Sequence, residues 1–209
     1  MSDKHEWRKQ EKALYLPKAK PELVEVPAFN FITLRGEGSP AEQRFSDIVG
    51  TLYSVAYGIK MLPKKMAVKP KGYYDYTVYP LEGVWDINDE AKKTFDGTVK
   101  QEDFVYEVMI RQPDFVDEVL FGDILETVKQ KKPNPLLDEV EFKSFEEGKC
   151  IQMLHVGKFE DEPATFEIME AFAEAEGYSR LSKVHREVYL SDARKVAPEK
   201  LKTVLRFNV

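Results

Sequence analysis

The strongest constraint on the fold is an internal echo. A strand candidate, Phe29-Asn30-Phe31-Ile32-Thr33-Leu34, ends at Gly36, and an acidic turn leads to Pro40 and an amphipathic helix; a strand then holds Val78-Tyr79. The order recurs further on: Lys149–Gly157 reads as a strand, an acidic turn leads to Pro163, a helical stretch follows, and a strand holds Val188-Tyr189. The first copy is longer by about the length of a Lys- and Pro-rich loop at 61–72. Self-similarity at so long a period is not a solenoid repeat. It predicts two like α+β units related by a pseudo-two-fold axis, with an antiparallel sheet, helices on one side and a ligand groove where the units meet.

Local signals fill in the elements. Ser39 as N-cap, Pro40 at the first helical position and Glu42 completing a capping box predict a helix running to about Met61. Its apolar face is Phe45, Ile48, Val49, Leu52, Val55, Ala56 and Ile59. Tyr73–Leu81 reads as an aromatic-rich strand extended by Leu81–Asp86, with Pro80 at an edge or bulge. Phe104–Ile110 is a further strand. Pro113 and Asp114 open a second helix with the stripe Val116, Val119, Leu120, Ile124 and Val128, stopped by Pro133 and Pro135. The third helix carries Phe166, Met169, Phe172 and Ala173 and ends at Gly177. Strands over 185–192 and 202–207 finish the pattern. The expected organisation is an N-terminal arm over 1–20, loosely held, then one domain over 21–209. Within that domain lie a first unit at about 21–112, a connecting helix at about 113–135 and a second unit at about 136–209.

Composition narrows the function. Net charge is -6, against wide contact with a phosphate backbone, so no nucleic-acid partner is expected. A single cysteine, Cys150, excludes an internal disulfide and suits a reducing, cytoplasmic location. The N-terminus has no apolar run of a secretory signal, and no window approaches the roughly 20 apolar residues of a membrane span. His5, His155, His185 and Cys150 make no zinc spacing, and Gly36-Glu37-Gly38 lacks the third glycine of a dinucleotide fingerprint. Neither a metal nor another cofactor is expected.

Glu187 draws attention because it sits mid-strand. Alternation puts it on one face with His185 and Tyr189, and Arg186, Val188 and Leu190 on the other. If the first face meets the core, a carboxylate lies in apolar surroundings and needs a partner or a ligand. The pattern by itself favours the opposite arrangement, with Val188 and Leu190 inward. Tyr53 and Tyr57 stack four apart on the first helix, and Tyr74, Tyr76, Tyr79 and Trp85 crowd the strand region after it. Most of these aromatics serve as core, but three or four facing a cleft would hold a flat or cationic organic molecule. His155, just before a glycine turn, is a candidate general acid or base, although such histidines are more often hydrogen-bonded structure.

Eight segments in order make a resemblance visible: Val24–Ala28, Leu52-Tyr53 with Tyr57, Leu81–Trp85, Arg111–Val116, Gln152–Gly157, Asp161–Thr165, Glu187–Asp192 and Leu201–Arg206. Over about residues 14–209 the chain resembles the stand-alone GyrI-like small-molecule-binding proteins. It departs from them at flanking positions: Arg186 where histidine is common, Ala193 where proline follows Ser-Asp, and Phe207-Asn208 where Pro-Val is frequent. The resemblance implies two strand–helix–strand–strand units with the ligand between them. It also implies a glutamate on the C-terminal strand that meets the ligand's positive charge, which maps onto Glu187 and turns that residue inward. Leu81–Trp85 and the tyrosines are similar to one subfamily that hydrolyses the cyclopropane of DNA-alkylating natural products of the yatakemycin type. The expected catalytic residues are then Glu187, His155 and Tyr189, and the expected aromatic cage is Tyr53, Tyr57, Tyr79, Trp85 and Phe172. The expected partner is a small hydrophobic or cationic aromatic ligand. Rival readings are a non-catalytic drug-sequestering or sensor module and, from the family's name, an inhibitor of DNA gyrase. Residues 1–20 are too short and too proline-marked for the DNA-binding helix pair of a regulator.

Overall fold

The structure is a computed structural model that describes residues 4–96 and 98–209. The helices are α1 (Trp7–Gln10), α2 (Lys12–Tyr15), α3 (Gln43–Met61), α4 (Asp89–Lys93), α5 (Glu118–Lys131) and α6 (Glu162–Ala175). The strands are β1 (Glu22–Val26), β2 (Phe29–Glu37), β3 (Leu81–Ile87), β4 (Phe104–Gln112), β5 (Glu141–Phe145), β6 (Gly148–Val156), β7 (His185–Tyr189) and β8 (Lys202–Asn208). The expected α+β class is what forms, and strand pairing inside each unit is antiparallel. Two compact units divide the chain. One comprises residues up to His5 with Phe29–Leu81 and Asp86–Phe145, and the other Glu6–Ala28, Glu82–Trp85 and Glu146–Val209. Of the expected arm, residues 1–3 lie outside the described residues.

In the first unit β2 is central, flanked by β4 (Ile32↔Ile110) and β5 (Ile32↔Phe142). The apolar face of α3 is buried as its spacing predicts, at Ile48, Leu52, Val55, Ala56 and Ile59. Three boundaries differ from expectation. Helix α3 begins at Gln43, because the Ser39 hydroxyl accepts from Ala41 N at 3.2 Å and closes a local turn instead of capping a helix. Helix α5 begins at Glu118, because Asp117 accepts from Leu120 N at 2.8 Å and is the working cap. That start leaves Val119 outward, 74% exposed, and turns Phe121, Ile124, Leu125 and Val128 inward. Tyr73–Pro80 forms no strand beyond a single bridge from Tyr76 to His5. Its polar groups bond instead to Lys60 and the His5 backbone, and Tyr73, Tyr74 and Tyr76 converge on Phe115 with centroids 5.1, 5.5 and 6.1 Å away.

The second unit places its strands in the order β1-β6-β8-β7-β3. Both faces of this sheet are covered. On one face Ile151, Met153, Leu205 and Phe207 pack with Met169 and Ala173 of α6. Gly177 stops α6 as expected: at φ +79° it takes the left-handed turn that lets Tyr178 N reach back to Ala173 O at 2.8 Å. On the other face lies the N-terminal stretch, which is not loose. Trp7 and Tyr15 are buried with rings 5.3 Å apart. Gln152 Nε2 donates to Ala13 O at 2.6 Å, and Arg206 Nη2 to Leu14 O at 2.9 Å. Beneath it runs a buried ionic chain. Arg186 Nη1 meets Glu82 Oε2 at 2.8 Å, Arg186 Nε meets Glu147 Oε2 at 3.1 Å, and Arg206 Nη1 meets the same Glu147 oxygen at 3.0 Å.

Candidate active site

Register decides what surrounds Glu187. On β7 it lies opposite Gly83 of β3 and Leu205 of β8, while His185 faces Trp85 and Tyr189 faces Thr203. Side chains directly opposite in an antiparallel pair share a face. Gly83, Trp85, His185, Glu187 and Tyr189 therefore all lie on the side of the sheet that carries α6. Alternation alone favoured leaving this face to solvent, and the structure overturns that choice. Glu187 is 7% exposed, while Arg186 and Val188 on the other face are 5% and 0% exposed, so β7 is covered on both sides.

A chain of hydrogen bonds ends at the Glu187 carboxylate. Trp85 Nε1 donates to the Tyr189 hydroxyl at 2.7 Å, and that hydroxyl in turn donates to Glu187. Burial, and next the Glu187 charge, push the Tyr189 phenol well above its ordinary pKa, so it stays a donor across the physiological range. His185 Nε2 donates to Glu187 Oε1 at 3.2 Å. Glu162, the first residue of α6, also reaches Glu187. Burial, and after it the Glu187 charge and hydrogen bond, push its carboxyl up to about 10. Aromatic rings flank the polar centre: Phe166 meets His185 edge-on at 4.8 Å, and Phe159 meets Tyr189 edge-on at 6.2 Å. An anion fixed by several donors among apolar rings can accept a proton from a bound water or face a cationic ligand.

The remaining expected residues fall elsewhere. His155 is buried with both ring nitrogens engaged: Nδ1 accepts from the Thr165 hydroxyl at 2.8 Å, and Nε2 donates to Lys158 O at 2.9 Å. That is a histidine tying β6 to α6, with neither nitrogen open to a substrate. Phe172 packs into the apolar cluster around Met169 and Phe207. Tyr53, Tyr57 and Tyr79 belong to the first unit. Tyr53 and Tyr57 lie along α3 with tilted rings whose centroids are 6.4 Å apart, and Tyr57 is 52% exposed. Tyr79 is buried, its hydroxyl 3.3 Å from His5 Nε2 and its ring under the Arg111 guanidinium. Trp85, counted with the first half in the sequence, groups by contact with the second unit.

Three contributors escaped sequence reasoning: Glu162, His185 in its role as donor, and Gly83. Glu162 reads as an acidic residue at a helix start, a common and usually solvated position. Gly83 carries a signal that only register makes readable. A Cβ built there would stand 2.7 Å from Trp85 Nε1 and 3.1 Å from the Tyr189 hydroxyl. We predict that Gly83→Ala breaks the Trp85–Tyr189 bond and lowers stability by about 1–3 kcal/mol. Denaturant unfolding and a shift in Trp85 emission, read in a Trp7→Phe background, check this; an unchanged emission maximum would refute it.

Among the described residues no helix is long and apolar enough to cross a membrane. No curated protein matches the chain. Two solved structures from Listeria innocua, one named a hydrolase and the other an uncharacterized conserved protein, are each 38% identical to it. Each match covers 98% of both chains at a TM-score of 0.86. The C-terminal domain of EcmrR, at 14% identity and a TM-score of 0.53 over 90% of this chain and 96% of its own, shares the fold. The pattern of the GyrI-like small molecule binding domain matches residues 19–209, so the chain belongs to the GyrI-like family of small-molecule-binding proteins.

Proposed function

We propose that this protein is a cytoplasmic detoxifying hydrolase. It binds flat aromatic xenobiotics beside Glu187 and opens the cyclopropane ring of DNA-alkylating natural products of the yatakemycin type. The observation that carries the reading is the buried Glu187 carboxylate, held by Tyr189 and His185 next to the Trp85 indole. The hydrolase name of a 38%-identical Listeria structure supports the reaction class.

In such a drug the ring methylene is conjugated through a spiro carbon to a dienone oxygen. Glu187 takes a proton from water, and the water oxygen bonds to the methylene carbon. The bond between that carbon and the spiro carbon breaks, and its electron pair moves to the dienone oxygen. The resulting phenolate then receives the proton, so the net change is addition of one water. The rings of Trp85, Tyr189 and Phe159 offer apolar walls that hold the electrophile against the water, a proximity effect. Holding Glu187 ready with donors already in place limits reorganisation during the reaction.

Incubating purified protein with a spirocyclopropane drug of this type tests the reading. The expected product is the ring-opened primary alcohol, formed over many turnovers. Drug recovered intact after long exposure to excess protein would end the hydrolase claim, and calorimetric binding without product would establish sequestration in its place.

A further inference from the structure

Buried carboxyl oxygens in folded proteins normally have hydrogen-bond partners. Glu162 is 6% exposed, and its Oε1 is buried with no hydrogen-bond partner, although the residue also contacts the Glu187 carboxyl. Two carboxyl groups can hydrogen-bond to each other only when one keeps a proton. The surroundings decide which one. Glu187 already receives the Tyr189 hydroxyl and His185 Nε2, two donors that Glu162 lacks. Glu162 faces the Glu187 charge and, from the turn before α6, Glu160. The neighbouring His155 is committed to Thr165 and the Lys158 carbonyl, and Arg186 points to the opposite face of β7, toward Glu82 and Glu147. No cation among these groups is directed at Glu162.

We propose that Glu162 and Glu187 form one proton-sharing pair in which Glu162 is a positioning residue: it keeps the proton, donates it to Glu187, and so holds Glu187 as an oriented anion ready to act as base. This rests on the reading of Glu187 as the base, but it makes a claim of its own about where the proton resides. In the ring-opening step Glu187 accepts the water's proton, while the proton of Glu162 remains on the pair and is not consumed.

The sign of the pH effect follows. A carboxyl whose folded pKa is raised binds its proton more tightly in the native state, so stability is full below the unfolded value of 4.5 and is lost as pH rises toward about 10. Above that point Glu162 ionises and faces Glu187 as a like charge.

Two variants and one spectrum test the pair. Glu162→Leu removes the donor. With the orientation of Glu187 lost, kcat should fall about tenfold at neutral pH while KM changes little. Glu162→Gln keeps a donor but cannot ionise. It should lose less activity than the Leu variant, abolish the alkaline limb near the Glu162 pKa, and show a flatter decline of unfolding free energy with rising pH. Infrared difference spectra should contain the C=O stretch of a buried protonated carboxylic acid at neutral pH, absent in Glu162→Gln. If the drug proves not to be a substrate, the infrared band and the pH dependence of unfolding still decide the pair. The proposal is overturned if no protonated-acid band is lost in Glu162→Gln, or if wild-type and Glu162→Gln unfolding curves run parallel across about pH 5 to 10.

Discussion

Glu187→Gln should lower kcat by about 10²–10⁴-fold while leaving the dissociation constant for a flat aromatic ligand within a few-fold of wild type. The size of the loss follows from what the substitution removes. The amide keeps an oxygen that can accept from Tyr189, and it nearly preserves volume, so the packing of β7 between β3 and β8 has little reason to change. What disappears is the capacity to take a proton from water. Single-turnover kinetics with saturating protein isolates that step, and equilibrium binding of unreacted drug supplies the control. Equal losses of binding and turnover would mean that Glu187 only anchors the ligand, as in a sequestering protein. Unchanged turnover would remove it from the chemistry.

The largest effect on folding should come from Arg186. Arg186→Met deletes the partner of Glu82, which is 2% exposed, and leaves its carboxylate in the interior without the guanidinium. Breaking a buried pair from one side costs about 3–5 kcal/mol, a large share of the roughly 5–15 kcal/mol that holds a typical domain together. Glu147 suffers less, since Arg206 Nη1 still stands 3.0 Å from its Oε2. The double variant Arg186→Met with Glu82→Leu removes both charges of the pair and should regain most of the loss. Urea unfolding of the wild type, Arg186→Met, Glu82→Leu and the double variant measures the coupling. Because the groups are buried, moderate salt should not erase it. A single variant as stable as wild type would show the pair to be dispensable.

How legible the molecule was depends on whether the deciding information is local. The apolar face of α3 was readable because period 3.6 is written into Ile48, Leu52, Val55 and Ile59, all fully buried. The strands β6 and β8 were readable because β-branched and aliphatic residues run through them. The start of α5 was missed because Pro113-Asp114 and Asp117 are all acceptable helix openers, and only the Asp117 bond to Leu120 N chooses between them. The aromatic run at Tyr73–Tyr79 has the composition of a strand but spends its backbone bonds on Lys60 and His5, which lie far from it in sequence.

At the site, Glu187, Tyr189 and Trp85 were nameable from pattern and resemblance, and these three converge. Their mutual placement was not nameable. Only the register Gly83↔Glu187 brings the Trp85 indole to the Tyr189 hydroxyl. Glu162 looked like any acidic residue at a helix start until tertiary packing set it against a second carboxylate. His155 has the composition of a catalytic histidine and the bonding of a structural one, a distinction that lies wholly in Thr165 and the Lys158 carbonyl.

The carbonyls of Ala13 and Leu14, bound by Gln152 and Arg206, bear on the order in which the polypeptide can fold as it leaves the ribosome. The first unit is complete in sequence once Phe145 has emerged. The second must keep residues 6–28 waiting until β8, nearly two hundred residues later, arrives to pair with both β6 and β7. During that interval Trp7 and Tyr15 have no finished sheet to cover, and contacts at such separation are the slowest to form. Vectorial synthesis therefore favours the first unit folding early and leaves the carboxylate centre, which needs β3, β7 and α6 together, to be assembled last.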